Sequence, residues 1–463
     1  MTRDLGDLIR ATGDDDAQSG ARAFTPDAAA SLFSAAHRRR LIHQVGAGAG
    51  ITAACVAAVI GVAALYPWTT TPPAIVPTPT ETSTSTPTAT ATPSPSASAH
   101  VIGTVTTDPN LPPAKPLESG LLASAGEGWS LVSYSAANRN DASKKGPLIL
   151  YLVSPDGDVY EAANLGTQGG RLEDWAPGSS RVLILRDAST AEVLDLETGA
   201  SVGSFTLPPG VGAMSATFTR PTGQNVVVSA SRGAGGWLKR FSPTGQELAT
   251  LLSATDPNVR PDGVIDFDPT WIYSQDGTFA VVSHNGLSRV SADGSTTTPI
   301  PLPAGTLECW PIRWWDGAQL LARCNDDLGP NPDVPSTRRT SSNMWLISMT
   351  GQLPQRLSSH VSKDVTDVGI TNIWDVAGTR YAQWEDDCGG APFGVLGSSG
   401  TVTALTQDVT AVAHWGTMFE AWYNKNCGDP GSELVFVNGS DGSTRMILPR
   451  VGDTAGVLAI VAR

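Results

Sequence analysis

The chain has 463 residues, with 44 acidic against 30 basic side chains and a formal net charge of −14. Residues 1–44 hold equal numbers of acidic and basic side chains, so the excess negative charge lies beyond residue 44. An acidic chain with a pI near 4.8 argues against nucleic acid and anionic lipid headgroups as ligands, and favours basic peptides or cations.

Residues 1–44 are predicted to form a cytoplasmic tail of short helices. Leu5, Leu8 and Ile9 share one helical face, and the run Thr25-Pro26-Asp27 is typical of a helix start. One interpretation is that the tail engages a cytoplasmic partner. The other is a topogenic leader that only presents the arginine run at residues 38–40 to the membrane.

The tail also resembles the leaders of actinobacterial membrane proteins that are tied to sigma-factor regulation. The shared features are a short apolar helix, a Thr-Pro-Asp start, an arginine run and a single apolar span. The resemblance implies a cytoplasmic partner such as a sigma-factor regulator. The tail lacks the His/Cys motif of zinc-type anti-sigma domains.

Residues 45–66 are predicted to be a transmembrane helix. These 22 residues carry no charge, and at ~1.5 Å per residue they cross a ~30 Å hydrocarbon core. Arginines precede the span, and Tyr66 and Trp68 close it, which predicts a single-pass plasma membrane protein with a cytoplasmic N-terminus. A cleaved signal peptide is the competing interpretation, but its leader and apolar core are normally shorter.

Small residues recur every fourth position within this span, at Gly46, Gly50, Ala54 and Ala58. Such a stripe lets two helices approach closely and predicts a homodimer through the membrane. A span rich in Ala and Gly also shows this stripe through composition alone, so both interpretations stay open. Cys55 is expected to be an inert apolar residue inside the bilayer.

Residues 67–117 are predicted to be a disordered stalk rich in Thr, Pro and Ser. Residues 69–99 contain 11 Thr, 7 Pro and 5 Ser, a composition that cannot build a core. We expect the stalk to hold the following domain away from the membrane, outside the cytoplasm.

Residues 118–463 contain seven copies of a strand, a glycine turn and a second strand. The turn glycines are Gly157, Gly199, Gly245, Gly294, Gly351, Gly400 and Gly442. Glycine suits these turns because a tight hairpin requires positive φ. Each copy is preceded by an aromatic residue and a strand of branched side chains, and together these elements build a four-stranded blade. The sequence therefore predicts an all-β, seven-bladed β-propeller.

The turn Ser154-Pro155-Asp156-Gly157, in a repeat led by an aromatic strand, resembles the TolB-like, WD-type bacterial β-propeller repeat. The resemblance implies a propeller that binds a protein or a small ligand, and some such propellers are enzymes. The strand at residues 456–461 has no hairpin of its own. We predict that it pairs with blade one near residues 129–135 and closes the ring.

The four cysteines of this domain, Cys309, Cys324, Cys388 and Cys427, predict two disulfides in an exported protein. A hairpin with a four-residue loop at residues 315–318 places Cys309 opposite Cys324. The remaining pair would then join blade six to blade seven. Three connectivities are formally open. No zinc site is expected, because no His or further Cys lies at ligand spacing.

Long loops predict where a ligand binds. The loops after the second strand (residues 138–146, 325–342, 385–391 and 424–432) are longer than the glycine turns and lie together on one side of the ring. The ligand-face candidates there are Asp326, Asp327, Trp384, Glu385, Asp386, Asp387, Trp422 and Tyr423. The alternative is that the acids are only solvated and the aromatic rings pack between blades.

No catalytic, metal or cofactor-binding residue is predicted. There is no Gly-x-Ser-x-Gly elbow and no Asp-x-Asp-x-Asp-Gly calcium loop. We therefore predict that the protein is not an enzyme and binds an unknown protein, peptide or envelope ligand. A transmembrane signalling subunit is the alternative, and a propeller hydrolase or lyase comes third.

Overall fold

A computed structural model describes residues 105–106, 108, 111–136, 146–207, 212–232, 235–253, 271–283, 286–316, 318–330, 338–349, 351–360, 369–385, 392–423, 432–451 and 455–463. The predicted tail, membrane span and small-residue stripe, all within residues 1–66, lie outside them. Within the described ranges, no helix is long and apolar enough to cross a membrane.

Seven β-sheets follow one another along the chain and form the blades of a propeller, all antiparallel except for one short parallel pair at the outer edge of blade one. Blades one to three contain β1 (Lys115–Pro116), β2 (Ser130–Ser135), β3 (Leu148–Val153), β4 (Val159–Asn164), β5 (Arg171–Trp175), β6 (Arg181–Leu185), β7 (Thr190–Asp195), β8 (Ala200–Thr206), β9 (Gly212–Phe218), β10 (Val226–Arg232), β11 (Gly235–Phe241) and β12 (Glu247–Ser253). A short helix α1 (Leu121–Ser124) precedes β2, and a 3₁₀ turn (Gly166–Gln168) follows β4.

Blades four to seven repeat the arrangement, and a final strand returns to blade one. They contain β13 (Trp271–Tyr273), β14 (Phe279–Ser283), β15 (Gly286–Val290), β16 (Thr297–Ile300), β17 (Thr306–Trp314), β18 (Gln319–Pro330), β19 (Arg338–Ser348), β20 (Gln355–Arg356), β21 (Gly369–Val376), β22 (Thr379–Glu385), β23 (Phe393–Leu396), β24 (Val402–Thr406), β25 (Val409–Trp415), β26 (Met418–Tyr423), β27 (Glu433–Asn438) and β28 (Thr444–Leu448). The final strand is β29 (Gly456–Ala462). The predicted seven-bladed all-β propeller is confirmed.

The last strand closes the ring, as predicted. β29 pairs antiparallel with β2, from Ser130 opposite Ala462 to Ser135 opposite Gly456. It also lies against β5 and β25, the first strands of blades two and seven, so it is the innermost strand of blade one. Blade one is therefore built from two distant parts of the chain, which ties blade seven to blade one.

The blades adhere through apolar clusters between neighbouring sheets, because one blade cannot bury both of its faces. Leu131 and Leu150 of blade one pack with Leu172 and Trp175 of blade two. Between blades six and seven the contact is aromatic, and Phe393 and Phe419 lie 4.6 Å apart between ring centroids. Each seam thus uses the alternating side chains of two sheets, in line with the predicted repeat.

The glycine turns have the predicted backbone conformation. Gly157 has φ +80° and Gly245 has φ +88°. A Cβ atom at Gly245 would come within 2.1 Å of the Phe205 side chain in the preceding blade. Glycine is therefore required there both by the backbone angle and by the close approach of blade two.

The propeller begins earlier than the predicted stalk boundary at residue 117. Leu111 and Leu117 are buried in apolar clusters of blade one, and β1 pairs in parallel with β4. The backbone N–H and the hydroxyl of Thr106 both donate to the carboxylate of Glu161, at 2.8 and 2.6 Å. The described part of residues 105–117 thus covers the outer edge of blade one, because that edge presents a buried carboxylate and apolar side chains to it.

The pairing of Cys309 with Cys324 is confirmed. The two residues lie opposite each other in the β17–β18 ladder and form a disulfide, with Cα atoms 4.0 Å apart. The predicted four-residue loop is wrong by one residue, because Trp315 N donates to Gln319 O at 2.9 Å. A register shift between Pro311 and Arg313 restores the predicted pairing at the cysteines. Cys388 and Cys427 lie outside the described residues, and their bond stays a prediction.

Candidate functional site

Blade five extends beyond the ring on the side where the predicted long loops gather. This side is the long-loop face, and the opposite side, with the short turns, is the hairpin face. The β17–β18 ladder ends with Thr306 opposite Asp326, but the β18–β19 ladder continues to Pro330 opposite Arg338. Residues 327–330 and 338–340 therefore form a two-stranded projection, the blade-five arm.

The arm corrects the prediction of a loop over residues 325–342. The polar side chains that suggested a loop instead satisfy each other across the ladder. Asn325 lies opposite Ser342, whose hydroxyl donates to the Asn325 side-chain oxygen at 2.8 Å. Asp326 lies opposite Ser341 and Asp327 opposite Thr340. Cross-strand hydrogen bonds of this kind stabilise a sheet as apolar pairs do, so polarity alone did not identify a loop.

Asp326 anchors the base of the arm and does not face a ligand. Its side chain is buried and accepts hydrogen bonds from Asn343 Nδ2 at 2.8 Å and Trp345 Nε1 at 3.3 Å. Arg356 Nη2 forms an ion pair with it at 2.5 Å. The predicted acidic edge therefore does not include Asp326, because its oxygens are occupied within blade five. Asp327 is only half-buried, and its carboxylate accepts the backbone N–H of Gly329 at 2.9 Å.

Two exposed leucines lie in or beside the arm. Leu328 lies within it and is 37% exposed, and Leu307 lies at its base in β17 and is 43% exposed. Just below them, the Cys309–Cys324 disulfide joins β17 to β18. The arm therefore combines a cross-linked base with apolar side chains that face solvent, an arrangement common on protein-binding surfaces.

The aromatic candidates lie at the same face, at the ends of the second strands of blades six and seven. Trp384 is half-buried and packs edge-on against the ring of His360, 4.5 Å between centroids. Trp422 and Tyr423 end β26, and the buried Trp422 Nε1 has no hydrogen-bond partner among the described residues. Trp384 and Tyr423 pack against the apolar clusters between blades, and all three rings are half-buried. Glu385 ends β22, and Asp386 and Asp387 lie outside the described residues.

The hairpin face is more polar at the centre of the ring than its short turns predicted. The first strands end there with charged or aromatic residues: Asp174, Trp175, Arg313, His414 and, after β29, Arg463. The Arg463 guanidinium lies 3.4 Å from the centroid of the Trp175 ring. It donates four hydrogen bonds to backbone carbonyls, those of Leu122, Ala125, Ala176 and Ser179. Arg463 therefore fastens the closing strand to blade two.

Side chains of one blade satisfy the open inner edge of the next. Asp174 accepts the backbone N–H of Phe218 at 2.7 Å and pairs with Arg220 at 2.9 Å. Gln383 accepts from Ala411 N at 3.0 Å and donates to Val409 O at 2.9 Å. Such side chains were not identified from the sequence, since nothing in the repeat pattern marks which polar residue replaces a missing ladder bond.

The seam between blades seven and one contains a buried carboxyl group. Phe419 and Ala421 of β26 pack toward blade six, so Glu420 points the other way. It is almost completely buried, and the Ser130 hydroxyl of blade one donates to it at 2.5 Å. Burial raises the pKa of Glu420 to about 7.

Within the described ranges, no three His, Cys, Asp or Glu side chains lie close enough together to hold a metal ion. No protein-family model matches the chain, and no curated protein matches it.

Solved structures match the fold. The β-propeller domain of the Trilobed protease from Pyrococcus furiosus is 9% identical, with 70% of this chain and 94% of that chain covered and a TM-score of 0.43. BamB from Moraxella catarrhalis is 12% identical, with coverages of 68% and 85% and a TM-score of 0.36. An oligogalacturonate lyase in complex with manganese is 12% identical, with coverages of 66% and 84% and a TM-score of 0.41. These likenesses concern the fold alone, and the TolB-like assignment stays a prediction.

The prediction that the chain is not an enzyme is wrong, because the ground given for it does not exclude catalysis. The structures that share its fold include an oligogalacturonate lyase. The sequence has no Gly-x-Ser-x-Gly elbow or other local catalytic motif. A propeller site is assembled from residues of several blades, so a missing local motif does not exclude catalysis.

Proposed function

We propose that this protein is a single-pass membrane protein whose propeller lies outside the cytoplasm and binds a protein or peptide of the cell envelope. The blade-five arm, with Trp384, Trp422 and Tyr423 nearby on the long-loop face, forms the binding surface. The arm is the observation that carries this proposal, because it is the part of blade five that continues beyond the repeat.

The arm's construction supports a binding role. A strand pair that leaves the sheet gains little from the core, so its order comes from the disulfide and the Asp326 network at its base. Leu307 and Leu328 stay exposed beside this ordered base. Binding surfaces typically combine preorganised backbone with a few exposed apolar or aromatic side chains and a polar rim.

The membrane part of the proposal rests on residues 45–66 and their flanks. Its test is a protease-protection experiment on intact cells that express the full chain. Protease added outside should remove the propeller and leave the tail protected. Protection of the whole chain from the protease, or presence of the propeller in the medium before any protease is added, would contradict the proposed anchoring.

The binding part is tested by placing a photo-crosslinking amino acid at Leu328 of the full chain in its native cells. The matched control is Leu353, a 92% exposed leucine in the turn before β20, on the hairpin face of the same blade. We expect one reproducible partner at position 328 and not at 353. The identified partner should then bind the purified chain, with at least about tenfold lower affinity for the variant L307S/L328S. Equal crosslinking at both positions would contradict a specific arm.

A further inference from the structure

The outer edge of blade one is covered by a segment that follows the Thr/Pro/Ser-rich stretch of the sequence. The strand order of this blade is β1-β4-β3-β2-β29, so β1 lies at the outer edge and the closing strand at the inner edge. We refer to residues 105, 106, 108 and 111–117 as the strap. A pull on residues 69–99 reaches the propeller through the strap, because the strap follows them in the chain and is docked on a blade.

The strap has little backbone pairing with the blade. β1 pairs in parallel with β4 at two positions, Lys115 opposite Tyr160 and Pro116 opposite Glu161. At the inner edge, in contrast, β29 pairs with all six residues of β2. The Lys115 ammonium also forms an ion pair with Asp158 at 2.8 Å, but both side chains are about half exposed, and such pairs contribute little to stability.

A buried carboxylate holds the N-terminal end of the strap. Glu161 is almost completely buried in β4, and it accepts the backbone N–H and the hydroxyl of Thr106 at 2.8 and 2.6 Å. Asn164 Nδ2 donates to the same hydroxyl at 2.9 Å. Hydrogen bonds to a carboxylate are stronger than those between neutral groups, so a single residue, Thr106, provides a firm polar attachment.

Two leucines attach the strap to both seams of blade one. Leu111 belongs to the apolar cluster that contains Leu434 and Phe436 of blade seven, and Leu117 to the cluster that contains Leu172 of blade two. The strap therefore crosses the outer edge of blade one from one seam to the other. Its contacts follow one another along the segment, so a pull at its N-terminal end loads them in turn rather than together.

The chain after the strap is held by different contacts. The backbone N–H of Gly120 donates at 2.8 Å to the carboxylate of Glu197, in the turn between β7 and β8. Arg463 donates to the carbonyls of Leu122 and Ala125, and the Leu122 side chain is buried. Detachment of the strap should therefore stop before α1, at residues that are tied to blade two and to the closing strand.

We propose that the strap is a force-sensitive latch, which a pull on the preceding stretch detaches from blade one while the seven blades stay folded. Detachment gives up two paired positions, one carboxylate contact and two leucines, so it needs less free energy than unfolding of the ring. It exposes the outer edge of β4 and the Glu161 carboxylate to solvent. The latch rests on the proposed function only for the source of the pull, which is the membrane anchor.

The test is force spectroscopy with optical tweezers on the full chain in detergent. One handle is placed at position 100 and the other at Leu353, an exposed residue of blade five. We expect an early, reversible step that lengthens the chain by at most about 40 Å, the extended length of residues 106–117 at ~3.4 Å each. Unfolding of the propeller should follow at higher force. A handle at Glu118 in place of position 100 bypasses the strap, so the early step should then be absent.

Two outcomes would overturn the latch. A first event from position 100 that releases far more length than the strap contains would show that the strap and the blades unfold together. An early step of the same size with the handle at Glu118 would place its origin outside the strap. The measurement needs neither a membrane nor a partner, so its result is independent of the protease-protection experiment.

The variant T106V tests the contact that holds the strap. It keeps the side-chain shape and the backbone N–H but removes the hydroxyl that bonds Glu161 and Asn164, so the strap should detach at least about tenfold faster at a given force. The matched control is T250V, because Thr250 on the outer strand of blade three also donates its hydroxyl to a glutamate, Glu247, at 3.1 Å. T250V should leave the early step unchanged. Equal detachment rates in T106V and the wild type would overturn the latch as a device held by the buried carboxylate.

Discussion

The blade-five arm and the seam that joins blades seven and one use polar residues in opposite ways. At the seam, Glu420 of blade seven accepts the Ser130 hydroxyl of blade one, and on the other side of blade one Arg463 holds the closing strand to blade two. At the arm, the Asp326 network lies only at the base, and Leu328 faces solvent beyond it. The difference indicates that the seam maintains the ring while the arm is available to a partner. Changes at the seam should alter stability, and changes at the arm should alter binding.

The largest effect is expected from removing the closing strand. A chain that ends after residue 450 loses β29, exposes the edge of β2 and breaks the tie between blades seven and one. We expect a fall in melting temperature of more than about 10 °C, or loss of a cooperative transition. Thermal unfolding followed by circular dichroism measures this. A melting temperature within 2–3 °C of the wild type, roughly the shift that 1 kcal/mol causes in a chain of this size, would show that the ring closes without β29.

Next in size is the substitution R463A. It removes four hydrogen bonds from a guanidinium to backbone carbonyls and the contact with the Trp175 ring. We expect the free energy of unfolding to fall by on the order of 3 kcal/mol, measured by urea denaturation. R463K keeps the charge but cannot reproduce the planar donor set, so it should recover only part of the loss. If R463K recovered the full free energy of unfolding, Arg463 would act through its charge alone and not through its planar donor set.

Glu420 should give the seam a pH dependence of similar or smaller size. Its pKa is raised to about 7 in the folded chain, against an ordinary value of 4.5. The protonated form therefore stabilises the fold fully below pH 4.5, and this contribution is lost as the pH rises through about 7. The full change corresponds to about 3 kcal/mol. We expect E420Q to be more stable than the wild type at pH 8 and to lose this part of the pH profile.

The control for Glu420 is E118Q, since Glu118 is exposed before α1. Its urea denaturation profile against pH should match that of the wild type. If the free energy of unfolding of E420Q also matched that of the wild type at every pH between 4.5 and 8, the Glu420 carboxyl would be ionised and solvated in the folded chain. The carboxyl would then not be buried at the seam between blades seven and one.

The smallest effect on stability, and the largest on binding, is expected at the arm. Leu307 and Leu328 are exposed, so L307S/L328S should change the free energy of unfolding by less than about 0.5 kcal/mol. The same variant should weaken partner binding at least about tenfold, which is 1.4 kcal/mol or more. L353S is the matched control and should change neither quantity. A large loss of stability in L307S/L328S would place the arm with the seam as a structural element.

The elements that repeat along the sequence could be predicted, because their cause is local. The glycine turns follow from the positive φ of a hairpin, and the lone strand at residues 456–461 had only blade one left to pair with. The cysteine pairing was also predictable, although one residue of error in the turn was offset by a register shift.

The departures from the repeat could not be predicted, because their cause lies in other blades. The polar side chains of Asn325 and Asp326 predict a loop, because their partners across the β18–β19 ladder cannot be identified from the sequence. Arg313 and Arg463 give no local signal, since each contacts residues that are distant in the sequence. The residues that distinguish this propeller from a regular ring are therefore those that sequence reasoning located least well.

The binding role of the blade-five arm is tested most sharply by the yield of crosslinked partner at Leu328 relative to Leu353 in cells that express the full chain. The two leucines are exposed residues of one blade on opposite faces of the ring. We expect a strong, partner-specific product at position 328 and background at position 353. A specific product at position 353, with background at position 328, would place the binding surface on the hairpin face and contradict a binding role for the arm.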